Sequence, residues 1–177
     1  MGSSWSTLLV SKSDTSADSV DPATGLTKKE KDGIKYTWDI VRKDVPKNGV
    51  ALFIMFFETN PEHQKVFTSF AHVPLSELPK NKKLMAHASS VLYSISSLVD
   101  SLDDVECLKE MVIKIAHNHL RRKVDDKHFS SLGESIISFM EEKLGSKFTS
   151  HKEAWQKFYS VVVTIVKEVQ EEEHYES

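Results

Sequence analysis

Residues 84–124, LMAHASSVLYSISSLVDSLDDVECLKEMVIKIAHNHLRRKV, decide how this chain is read. Two histidines in the stretch, His87 and His119, stand 32 residues apart. Projected at about 100° per residue, Leu84, His87, Val91, Ile95, Leu98 and Leu102 fall on one helical stripe. Leu108, Met111, Val112, Ile115 and His119 fall on another. Burying an imidazole without a partner is costly. Two of them, in the apolar stripes of two helices, point to one object shared between the helices. A planar, mostly apolar cofactor with a metal at its centre would satisfy both.

The rest of the chain suits a helical domain around that pair. Its 177 residues fit one domain with a tail, or at most a small pair. It is 40% hydrophobic and 28% charged, so it can bury a sizeable core and keep a solvated surface. Only 6 Gly and 5 Pro argue against a loop-rich all-β fold. A net charge of −3 without a basic patch argues against a nucleic-acid partner. Cys107 is the only cysteine, which rules out an intrachain disulfide and suits a reducing compartment. No apolar run nears the ~20 residues of a membrane span. The N-terminus lacks the basic start and long apolar core of a secretory signal. The expectation is an intracellular, cytoplasmic protein.

Residues 1–25 are rich in Ser, Thr and Asp and read as a disordered extension. Thr27-Lys28-Lys29-Glu30 is a capping box. It heads a helix with Ile34, Trp38, Val41 and Val45 inward. Pro46 opens a second helix through Thr59 that carries the apolar run Ala51–Phe57. Asn60-Pro61-Glu62 supplies cap, first helical residue and first-turn acid for a short helix leading to Phe67 and Phe70. A loop over 71–80 precedes the His87 helix, about 80–100, and the His119 helix, about 105–121. Asp125 or Asp126 caps the next helix, which carries Phe129 and Leu132 and ends at Gly145. Ser150 caps a final helix with Trp155, Phe158, Val162, Ile165 and Val169 inward. With no alternating segment and no internal repeat, the fold class is all-α, seven to eight helices in a domain over 26–170. Residues 171–177 form an acidic tail.

Taken together these residues resemble an animal globin over roughly Leu26–Val169. The resemblance is carried by Trp38, by Phe53 and Phe57 leading to Pro61, and by Phe67. His87 with Val91 one turn later continues it, then Ile115-Ala116-x-x-His119 followed by Val124 and Phe129. The histidine spacing, the segment Leu132-Gly133-Glu134-Ser135-Ile136 and the Met-Gly start are most similar to the neuroglobin and globin X group.

The resemblance implies a globin fold around a haem pocket, with haem b as cofactor. It implies His119 as the proximal iron ligand, His87 as the distal histidine and Phe67 stacked on the haem. Phe53, Val91, Ile95, Ile115, Val124, Phe129 and Leu132 would line the pocket. The physics agrees, because a buried porphyrin needs apolar walls. A neutral imidazole oriented through its other nitrogen is a natural iron ligand, and the Ile115 carbonyl one turn back is the expected acceptor. Arg121 or Arg122 is within reach of a propionate, Arg122 being the assigned contact. Ser90 stands where many globins carry a basic propionate partner.

For function, the resemblance implies a non-enzymatic protein that reversibly binds dioxygen, carbon monoxide and nitric oxide. His87 and His119 would both ligate the iron when no gas is bound, which suits a redox, electron-transfer or gas-sensing role with a redox partner. Side nitrite reductase or nitric oxide dioxygenase activity belongs to the same reading. A five-coordinate oxygen store or carrier uses the same two histidines. A haem-free helical interaction module is the third reading, against which both histidines and Phe67 speak. Monomer and homodimer are both compatible with the sequence.

Other features have plainer readings. His117 and His119 form His-x-His, but helical residues two apart point about 200° apart and cannot share one ion. His117, His63, His72, His128, His151 and His174 are expected on the surface. Met1-Gly2-Ser3-Ser4-Trp5-Ser6 matches the N-myristoylation pattern. One acyl chain anchors only marginally and the extension is acidic, so membrane association through Gly2 would be weak and peripheral.

Overall fold

Thr27 starts the helical domain, because its hydroxyl accepts from the Glu30 amide while Glu30 accepts from the Thr27 amide. This reciprocal box satisfies two amides that a helix start leaves unpaired. The computed structural model describes residues 19–176. Seven α-helices follow in order: α1 (Lys28–Val41), α2 (Val45–Thr59), α3 (Lys82–Asp100), α4 (Val105–Leu120), α5 (Asp126–Leu144), α6 (Ser146–Thr149) and α7 (Lys152–Glu176). Single 3-10 segments occupy Arg42–Asp44, Pro61–Val66 and Leu78–Lys80. No strand occurs among the described residues, and one isolated bridge pairs Val20 with Thr27. None of these helices is long and apolar enough to cross a membrane.

Local chemistry sets the boundaries. Asn81 caps α3 through the amides of Lys83 and Leu84. Asp104 caps α4 and Asp125 caps α5, which decides between the two aspartates left open by the sequence. Gly145 ends α5 at φ +53°, a left-handed value that costs glycine little.

Three expectations need correction. Residues 19–25 are not a structureless lead-in: the Gly25 amide donates to the Asp21 carbonyl, Thr24 is buried, and Asp21 holds the Lys31 ammonium at 2.6 Å. Ser150 does not cap the last helix; it follows the extra one-turn helix α6, and α7 begins at Lys152. The acidic end is helical through Glu176 rather than a tail. Residues 1–18 and Ser177 lie outside the described residues, and with them the Met1–Ser6 pattern and Gly2. The side chain of His174 lies outside them as well.

Two apolar clusters hold the helices. The larger is centred on Trp38 and Trp155, whose rings sit 5.5 Å apart. Both indole N–H groups are satisfied, Trp38 donating to Ser96 at 2.9 Å and Trp155 to Thr37 at 2.8 Å. Each such fully buried large side chain is worth roughly 1.5–3 kcal/mol, before the entropy of ordering it is subtracted. The smaller cluster gathers Phe53, Phe56, Phe57, Phe70, Leu78, Leu84 and Ala88 where α2 crosses α3. α2 packs on α3 and α5, and α7 packs on α4 and α5. α3 and α4 touch each other little, and a cavity opens between them.

Candidate functional site

The cavity measures about 410 Å³, within the roughly 300–1,000 Å³ usual for cofactor sites. It is walled by α2, the segment 66–70, α3, the end of α4 and the start of α5. Of the residues singled out from the sequence, His87, His119, Phe53, Phe67, Val91, Arg122, Val124, Phe129 and Leu132 line it. Ile95 and Ile115 do not. Ile95 is buried in the larger core, and Ile115 packs against that core from a half-buried position. A helix turns about 100° per residue, so eight residues beyond His87 the stripe has drifted by about 80°, enough to aim Ile95 elsewhere. Ile115 contributes its backbone instead.

His119 is oriented from within α4. Its Nδ1 lies 2.8 Å from the Ile115 carbonyl. A carbonyl only accepts, so Nδ1 carries the proton and Nε2 keeps a lone pair for a metal. Phe129 of α5 meets the ring edge-on at 5.1 Å. His87 comes from the opposite wall, held between Phe53 at 5.3 Å and Phe67 at 5.0 Å, both edge-on. Its nitrogens have no hydrogen-bond partner among the described residues. No sealed-off polar side-chain atom goes unpartnered there either, so these nitrogens are open to the cavity.

Burial pushes both imidazoles toward the neutral form. His87 is lowered to about 4, first by loss of solvent and then by the neighbouring His119 and Arg122 charges. His119 is lowered by burial, against which its bond to Ile115 works, while Arg122 lowers it further. Neutral imidazole is the metal-binding form. Among the described residues no three His, Cys, Asp or Glu side chains converge as a bare ion requires. Two facing imidazoles suit a metal that arrives with its remaining ligands already supplied. That donor set, in a slot with aromatic and aliphatic walls, fits a haem.

The cavity mouth is cationic. Arg122, rather than Arg121, lines it, and its guanidinium also bonds the Asn118 carbonyl. Lys83 lines it too. Sequence reasoning missed Lys83, although it stands four residues before His87 and therefore one turn away on the same face. Ser90 is exposed, its hydroxyl bonded back to Ala86. The histidines assigned to the surface also divide. His72 is exposed. His63 is partly buried, stacked on Phe56 at 5.3 Å, 4.5 Å from the His128 ring and 3.2 Å from Ser131. His128 reaches the cavity wall. His151 covers Gly33 of α1 and meets the Tyr36 ring at 6.1 Å.

An all-α fold closing on a pocket lined by two histidines fits the class of helical haem proteins, and comparison with known proteins gives the family. The globin family model matches residues 50–166; the chain belongs to the globin family. A globin of Nerita albicilla is 28% identical over 148 residues, 83% of this chain and 94% of that protein. Neuroglobin of Tetraodon nigroviridis is 29% identical over 140 residues, 78% of this chain and 88% of that protein. The globin-2 B chain of Anadara inaequivalvis is 28% identical over 134 residues, 75% of this chain and 87% of that protein. Family membership carries haem-based gas binding as the general activity.

Proposed function

We propose that this chain is a haem b globin whose iron is held by His119 and, in the absence of gas, also by His87, with a redox, electron-transfer or gas-sensing role. The observation that carries the reading is geometric: His87 of α3 and His119 of α4 line a single slot, where burial lowers both toward the neutral form. Bound haem would supply the iron that takes dioxygen, carbon monoxide or nitric oxide and exchanges single electrons. The chain supplies the rest. His119 presents Nε2 because Ile115 holds its other nitrogen. Phe67, Val91, Val124, Phe129 and Leu132 exclude water from the slot. Lys83 and Arg122 offer charge-assisted bonds to two carboxylates at the mouth. Bound to the iron, His87 would hold the position an incoming gas needs, and apparent gas affinity would be the intrinsic affinity multiplied by the fraction of protein in which His87 stands aside.

The visible spectrum of the ferrous, gas-free protein tests the reading. Two sharp, resolved bands of low-spin iron are expected, and one broad high-spin band would leave the five-coordinate oxygen store as the better reading. His119→Leu is expected to abolish firm haem retention while His117→Leu keeps it. The reverse result would overturn the assignment of helical faces.

A further inference from the structure

The last turns of α7 extend beyond residue 166, where the family match ends, and they carry two contacts that the pocket does not require for its walls. Glu173 Oε1 lies 2.8 Å from Nδ1 of His117, in the final turn of α4. A carboxylate only accepts, so Nδ1 donates. Gln170 Oε1 accepts from the amide of Asp126, the first residue of α5, at 3.2 Å. Residues three apart share a helix face, so one face of α7 grips the chain on both sides of the α4–α5 corner.

Between those grips the corner is held by the Asp125–His128 cap and by Leu120 and Val124 against the core, but its tip is open. Arg121, Arg122 and Lys123 are exposed, and Lys123 adopts φ +60°, a left-handed value uncommon for a residue with a side chain. The carbonyl of His119 is built into the corner, accepting from the Arg122 amide at 2.8 Å and the Val124 amide at 3.2 Å. A shift of the corner therefore moves the His119 backbone directly.

We infer that Gln170 and Glu173 are positioning residues that fix the corner 117–126 and, through it, the placement of His119 toward the iron. The link to iron rests on His119 being the ligand, as proposed above; the fastening of the corner does not. Both contacts are partly solvent-exposed, so each tie is individually modest.

The test uses Gln170→Ala, Glu173→Ala and the double variant, with Glu173→Gln as the conservative control whose amide oxygen still accepts from His117. Amide hydrogen exchange is read with and without haem. It is expected to quicken roughly two- to fivefold per lost tie, only within residues 117–126, and to return to the parent rate in Glu173→Gln. In a His87→Leu background, the iron–histidine stretching band in resonance Raman is expected to shift in the alanine variants and not in Glu173→Gln. Unchanged exchange in the double variant overturns the inference. Acceleration spread evenly over α4, α5 and α7 in step with a lower Tm also overturns it, because that is general destabilisation. Absence of the iron–histidine band from the His87→Leu protein that carries no further substitution sinks the proximal assignment, and the exchange result still decides the clamp.

Discussion

Gly49 of α2 and Ala88 of α3 meet so closely that a Cβ on Gly49 would lie 3.0 Å from both the carbonyl carbon and the carbonyl oxygen of Ala88. The neighbour is helix backbone, which cannot swing away as a side-chain tip can. Ala88 follows His87 in the chain, so this crossing sets how deeply His87 enters the pocket.

Gly49→Val is therefore expected to lower stability by about 1–3 kcal/mol through overpacking, despite the better helix propensity of valine. Displacement of α3 should also move His87 and convert part of the ferrous protein to the high-spin form. Chemical denaturation and the visible spectrum read the two effects. An unchanged spectrum with normal stability would show that the crossing has slack.

Asp21 and Lys31 tie the first described turn to α1, with the lysine side chain only 9% exposed. The Lys31 bond holds the Asp21 carboxyl below its ordinary value. A carboxyl lowered on folding stabilises the protein above its unfolded value, near 3.8, and that contribution is lost as pH falls through the folded value. Asp21→Asn is expected to cost about 1–3 kcal/mol at neutral pH, with the difference from the parent shrinking once the pH falls below the ordinary carboxylate value of 3.8. Equal denaturation midpoints at neutral pH would show the turn to be idle.

His63 makes the opposite case. Burial first, and then the His128 charge, lower its pKa, while Asp125 raises it. A histidine lowered on folding leaves the unfolded chain holding more protons, so stability rises with pH through that window. Its contribution is complete above about 6.5 and falls as the solution is acidified. His63→Phe keeps a ring against Phe56 and removes the titration. The dependence of Tm on pH between about 5 and 7 is expected to flatten in that variant. An unaltered slope would mean that His63 titrates alike in both states.

The contrast between these sites explains what the sequence disclosed. Features with a period or a local rule were legible: the helical stripes of His87 and His119, the Thr27–Glu30 box, the Gly145 stop and the Ile115 carbonyl one turn behind His119. Features made by chain segments meeting were not. His63 and His128 are 65 positions apart, and nothing in either neighbourhood announces that their rings meet. The Asp21–Gly25 turn has no period, and its composition resembles that of the extension before it. Lys83 was readable in principle, since its spacing from His87 is helical.

The decisive variant is His87→Leu. In the parent, His87 is wedged between Phe53 and Phe67 with its nitrogens open to the cavity and its ring neutral at physiological pH. Such a side chain has nothing to bond to except what the cavity holds. If that is the iron, an incoming gas must wait for the imidazole to leave, and observed association reflects the open fraction. Leucine fills similar space and cannot ligate, so His87→Leu should convert a low-spin ferrous spectrum to high-spin and speed carbon monoxide association strongly. The apparent affinity should rise by the factor by which the internal ligand had competed, each tenfold corresponding to about 1.4 kcal/mol. Dioxygen should behave differently: its complex loses a hydrogen-bond donor in the same substitution, so it should dissociate faster even while association quickens. A five-coordinate store predicts the faster dioxygen loss without the change of spin state. Rapid mixing with both gases, on parent and variant, therefore separates competition by His87 from assistance by it. Carbon monoxide association that is equally fast in the two proteins would remove His87 from the iron.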